Sequence, residues 1–123
     1  MPWDLKSDRP IYTQLIEQIE LRILSGEYPP GMRLPSVRDI AQDASVNPNT
    51  MQRALAKLEE DGLVITHRTS GRTITEDIEM IKRAKNHLAE QQIAEFLEKM
   101  QLMGFEKRET LTLITKMLEE MKK

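Results

Sequence analysis

With 123 residues, the chain has room for one ordinary domain plus an appendage, too little for two full domains. The absence of cysteine excludes a disulfide framework and a thiolate metal site. There is no apolar core in MPWDLKSDRP and no run of 18 apolar residues, so a cytoplasmic protein without a membrane span is expected. The net charge of −2 identifies no partner: residues 1–75 carry nine Lys and Arg against ten Asp and Glu, and residues 76–123 the same, so affinity for a polyanion would have to come from local segregation of charge.

Trp3 is the one tryptophan, in a polar lead-in, and its ring is expected to pack on the domain or on a partner subunit. Pro10 can open a helix that runs to about Ser25 and stops at Gly26. Tyr12, Leu15, Ile16, Ile19 and Ile23 form its apolar stripe, widened by Leu21 and Leu24. Tyr28 to Gly31 force a turn, after which Met32 to Leu34 can add a short strand that Pro35 ends.

Leu34 to Gly62 read as two short helices with a tight turn. Ser36 is a good N-cap, with Asp39 three residues on, and Val37, Ile40, Ala41 and Ala44 follow at helical spacing. Ser45 and Val46 form the turn, Asn47 caps again, and Pro48 sits at the first helical position, where a missing N–H costs nothing. In the second helix Met51, Ala54, Leu55 and Leu58 share one arc, and Gly62 supplies a left-handed stop.

The opposite arc collects Asn49, Thr50, Gln52, Arg53, Ala56 and Lys57. Asn and Gln can bond adenine edges, Arg guanine edges, and Thr a phosphate or a thymine methyl, so this arc is equipped to read a major groove. No acid occurs from Ala44 to Leu58; Glu59, Glu60 and Asp61 lie at the far end. The pattern alone fits a solvated polar face equally well. The next segment favours the groove reader: Leu63, Val64 and Ile65 begin a strand, Ile74 lies in a second, and Ser70 and Gly71 supply the turn between them. His67, Arg68 and Arg72 make that hairpin basic, with no acid between Gly62 and Glu76, which suits a wing against phosphates or a minor groove.

From about Thr75 a helical pattern runs nearly thirty residues to Gly104, with Ile78, Ile81, Ala84, Leu88, Ile93, Phe96, Leu97, Met100 and Met103 as its apolar positions. A last helix follows Phe105, with Leu111, Ile114, Leu118 and Met121 in an a/d-like rhythm. A two-helix hairpin of this kind keeps one face uncovered, and a second copy is the economical cover, so a homodimer is expected. Five of the eight methionines fall here; core filling is favoured over an effector pocket.

His67 and His87 have no ligand-spaced partner; a carboxylate–histidine site assembled in the tail is the one metal arrangement left open. No P-loop, G-x-S-x-G or G-x-G-x-x-G occurs, so neither an enzyme nor a cofactor is expected.

PIYTQLIEQIELRILSGEYPPGMRLPSVRDIAQDASVNPNTMQRALAKLEEDGLV resembles the N-terminal domain of the GntR family of bacterial transcription regulators. The phrase VNPNT and the short helical tail resemble its YtrA-type subfamily. The resemblance implies a mainly α protein: a winged helix-turn-helix over residues 1–75, with three helices and a small β wing, then a dimerising and optionally effector-binding helical hairpin over 76–123. By the same likeness Arg38 contacts backbone or bases, Asn47, Asn49 and Thr50 open the recognition helix, and Gly71 is the wing-tip glycine. Pro48 and Gln52 stand where many members carry arginine, the cation here being at Arg53, so base preference should differ; Thr69 stands where glycine is common, which bears on how deeply the wing enters the groove.

The expected function is that of a DNA-binding regulator, more often a repressor in this family, reading a palindromic operator as a homodimer and released by a small-molecule effector if one exists. Asn49, Gln52 and Arg53 are assigned to base edges, Arg38, Asn47, Thr50 and Lys57 mainly to phosphates, and His67, Arg68, Gly71 and Arg72 to the wing contact. The alternative is a winged helix that binds protein instead of DNA.

Overall fold

A computed structural model describes residues 1–122; the final residue of the expected 76–123 tail lies outside them. The element order is α1 (Ile11–Leu24), α2 (Val37–Ala44), α3 (Pro48–Glu60), β1 (Val64–His67), β2 (Gly71–Ile74), α4 (Ile78–Leu102) and α5 (Lys107–Met121). The fold is mainly α with a two-stranded antiparallel wing. It divides into two compact units, the first Met1–Ala84, the second beginning at Lys85.

In the first unit α1 and α2 both pack on α3. Met51, Ala54, Leu55 and Leu58 of α3 are fully buried, together with Leu15, Ile19 and Ile23 of α1 and Ile40, Ala41 and Ala44 of α2. Each buried Leu or Ile contributes about 1.5–3 kcal/mol, so this shared core fixes the angle between the helices. The ends are set locally. Ser36 Oγ accepts the Asp39 N–H at 3.1 Å, and Asn47 Oδ1 accepts the Asn49 N–H at 2.8 Å. Between them Ser45 holds a left-handed φ of 58°, a conformation that turns the chain sharply enough to start α3 after two more residues. Gly62 ends the reading unit at φ +86°, and a Cβ there would meet Met80 Cε at 3.1 Å. The backbone conformation calls for glycine, and a larger residue would also have to push the flexible tip of Met80 aside.

The wing pairs Val64 with Ile74 and His67 with Gly71. Its first strand starts one residue later than the hydrophobic run suggests. Leu63 is buried ahead of it, and its carbonyl accepts the Thr75 N–H at 2.9 Å. The strand expected over Met32 to Leu34 reduces to one bridge, Arg33 to Thr73, flanked by Ile74 N–H to Met32 O and Leu34 N–H to Arg72 O.

The outer side of α1 departs from expectation. Leu15, Ile19 and Ile23 are buried, but Leu21 is exposed, and the polar residues Gln14 and Arg22 are buried at 1% and 2% exposure. The cause is the N-terminal lead-in, which folds back over the helix and supplies both with hydrogen-bond partners. Trp3 packs within the domain, one of the two outcomes expected for it.

In the second unit the capped start of α5, where the Glu106 N–H donates to Glu109 Oε1 at 3.0 Å, follows a break at Gly104, φ +95°. Along α4, 25 residues and so about 37 Å at 1.5 Å per residue, no side chain is fully buried. In α5 Thr110 is buried, but Leu111, Met117, Leu118 and Met121 are exposed. Ile93 and Phe96 are exposed as well.

Candidate nucleic-acid interface

Burying the Met51–Leu58 arc of α3 forces the opposite arc outward. Asn49, Gln52, Arg53 and Ala56 are exposed there, while Thr50 and Lys57 lie half-buried along its flank. Asn47, at the helix entrance, has its amide oxygen committed to the cap, which leaves its NH2 group free to donate outward.

The two cations of this face are held differently. The Arg53 guanidinium stacks over the Tyr12 ring of α1 at 4.6 Å, a contact of about 0.5–1 kcal/mol at an exposed site that orients the fork without consuming its donors. Lys57 Nζ pairs with Asp61 at 3.5 Å, one helical turn on. That exposed pair is weak, so a phosphate can displace the carboxylate at little cost. Asp61 is thus one acid at the end of α3 that reaches back to the reading face.

Arg38 is exposed on α2. On the wing Arg68 and His67 are exposed, with His67 Nε2 bonded to Thr73 Oγ1 at 2.8 Å, which ties the ring across the strands. Gly71 adopts φ +86° with open space around it, as a tight wing turn requires. Arg72 is half-buried, turned into a shallow hollow shared with Arg33, Pro35 and Ser36, and its Nε is buried without a hydrogen-bond partner. Arg72 thus pairs with Thr66 one step in from the closing His67–Gly71 pair, with its side chain taken up by that hollow, while Arg68 lies in the turn itself. Arg33 is a further cation on this side that the sequence reading passed over; its one signal was a place in a strand beside the wing.

Among the described residues, no group of three or more His, Asp or Glu could hold a metal ion, and no helix is long and apolar enough to cross a membrane.

Three helices, a capped tight turn, an outward face without acids in its N-terminal part and a basic hairpin at the end of the second of the paired helices define a winged helix-turn-helix of the DNA-binding, transcription-regulating kind. Residues 11–74 match the family described as bacterial regulatory proteins, gntR family. The chain belongs to the GntR family, whose members here are transcription regulators and not enzymes. It is 39% identical over 106 residues to the HTH-type transcriptional regulator YhcF of Bacillus subtilis, spanning 86% of this chain and 88% of that one. It is also 42% identical over 74 residues to the HTH-type transcriptional repressor YtrA of Bacillus subtilis, 60% of this chain and 57% of the repressor, which bears out the YtrA-like reading. Among solved structures it resembles a GntR family transcriptional regulator from Listeria monocytogenes, with a TM-score of 0.86, 36% identity, and coverage of 91% of this chain and 98% of that one.

Proposed function

We propose that the chain is a cytoplasmic repressor that binds a palindromic operator as a homodimer. The observation that carries the reading is the outward arc of α3, free of acids as far as Leu58 and furnished with Asn49, Gln52 and Arg53 beside a wing tipped by Arg68, with Glu59 and Glu60 kept to the far end of the helix. In this reading the N-terminal half of α3 enters the major groove, and Asn49, Gln52 and Arg53 meet base edges. Arg38, Asn47, Thr50 and Lys57 hold phosphates, and His67, Arg68, Gly71 and Arg72 form the wing contact. Residues 1–75 read DNA, and residues 76–123 join two copies.

The apolar positions left exposed along α5 and the outer part of α4 support the dimer, since isolated apolar faces of this length call for cover. The likeness to the transcriptional repressor YtrA favours repression over activation. A small-molecule effector would act by favouring one arrangement of the two reading heads over another.

Selection of genomic fragments retained by the protein, followed by footprinting, tests the reading. The expected result is a two-fold symmetric site with half-sites about one helical turn apart, near 10 base pairs centre to centre. Protection of a single asymmetric half-site would overturn the dimeric reading. Negligible retention on both heparin and genomic fragments would overturn DNA binding in favour of a protein partner.

A further inference from the structure

The lead-in before α1 is built into the reading unit. Two glutamines one turn apart on α1 grip it at alternate residues. Gln18 Nε2 donates to Asp4 O at 2.5 Å while its Oε1 accepts the Asp4 N–H at 3.2 Å. Gln14 Nε2 donates to Lys6 O, and its Oε1 accepts the Lys6 N–H, both at 2.7 Å. Each side-chain amide thus offers a residue the donor and acceptor that a neighbouring strand would. The grip leaves Trp3 lying with its ring 3.8 Å from the guanidinium of the buried Arg22, so its face is fixed on α1.

Its edge goes elsewhere. Trp3 Nε1 donates to Asp43 Oδ2 at 2.9 Å. Asp43 sits in the last turn of α2, two residues before the left-handed Ser45 and four before the Asn47 cap. Beyond that bond an open cleft of about 830 Å³ lies between the lead-in and the turn, with Leu5, Lys6 and Ile11 on one side and Val46, Asn47 and Thr50 on the other. Ala44 and Val46 anchor the turn to the core from behind, but on this side it is bordered by a cleft, and the Trp3–Asp43 bond is what ties it to the lead-in.

We propose that Trp3, through Asp43, is a positioning residue for DNA reading: it holds the turn and the entrance of α3 in the geometry that a groove accepts, without touching DNA. The inference rests on the proposed DNA-binding reading. A turn that wanders lowers the fraction of molecules competent to bind, and apparent affinity falls by that fraction.

The test uses the full chain with Trp3→Phe, which keeps a ring over Arg22 and removes the N–H, and with Asp43→Ala, Asp43→Asn and the Trp3→Phe/Asp43→Ala pair. Backbone amide exchange over residues 45–50 is measured on free protein, and affinity on a retained operator fragment. Trp3→Phe and Asp43→Ala should each speed exchange at those amides by about three- to tenfold, the range of one hydrogen bond, and weaken binding by a smaller factor of about two or more, set by the fraction of molecules moved out of the competent geometry. The pair should do no more than either alone, and Asp43→Asn, which keeps an acceptor oxygen, should behave like the parent.

Unchanged exchange over residues 45–50, multiplicative losses in the pair, or unchanged affinity in the face of faster exchange would each overturn the proposal. Exchange accelerated uniformly through α1, α2 and α3 would also overturn it, as the mark of general stability alone. If those amides loosen as expected but the parent chain retains no DNA, the brace stands and the DNA-binding reading falls.

Discussion

Arg53 differs from the other cations of the reading face because its partner is a π face and its five donors stay unspent. That leaves the residue preorganised for a bidentate contact. Arg53→Ala should therefore cost about 1–3 kcal/mol of operator binding, measured by titration of a retained fragment; a loss under twofold would remove it from base readout. A second residue-scale effect concerns pH. Burial pushes the Tyr28 phenol above its usual 10.0, with Arg22 nearby acting the other way. A raised folded value means that the native state holds its proton where the unfolded chain has lost it. Stability is then full below pH 10 and falls as pH climbs from 10 through the folded value. Tyr28→Phe should flatten that alkaline decline in denaturant titrations; an unchanged slope would show that other groups cause it.

At the scale of elements, the helix-turn-helix was legible because its signals are local. Ser36, Asn47 with Pro48, and Gly62 each act within three residues of themselves, and the 3.6-residue period of Met51, Ala54, Leu55 and Leu58 is a property of one helix. The half-burial of Arg72 was not legible, since a sequence gives strand order but not the side from which a long side chain folds back. The burial of Gln14 and Arg22 was illegible for a different reason. Gln14 is held by backbone atoms of the lead-in and Arg22 by Met1 O there, besides Gln18 O of its own helix and the Glu27 carboxylate, and the lead-in's backbone atoms leave no residue-type signature. Asn47 separates two roles within one element. Asn47→Asp retains a capping oxygen, so stability should stay within about 0.5 kcal/mol of the parent in a chemical melt. Yet it sets a negative charge at the groove entrance, and operator affinity should drop about tenfold or more. Equal losses in both measurements would mean that the residue serves the cap alone.

For the whole molecule, the proposed dimer turns on what covers the apolar face of α5. Leu111, Leu118 and Met121 are 64%, 54% and 77% exposed, values at odds with a helix that functions alone in water. Leu118→Glu should shift the protein from dimer to monomer in sedimentation velocity while leaving the helical signal of residues 1–84 intact; a mutant that still sediments as a dimer would place the interface elsewhere. A truncation aimed at the same question should end after Ala84 and not at 75, because Met80, Ile81 and Ala84 pack against the core of the first unit.

The glutamine grip on the lead-in also redistributes mutational tolerance. Because Gln14 and Gln18 hold main-chain atoms, the identities of Asp4 and Lys6 are nearly free to drift, while the two amides that do the holding are not. In a collection of relatives or a saturation library, constraint would then gather on the helix that clasps and fade from the ribbon that is clasped.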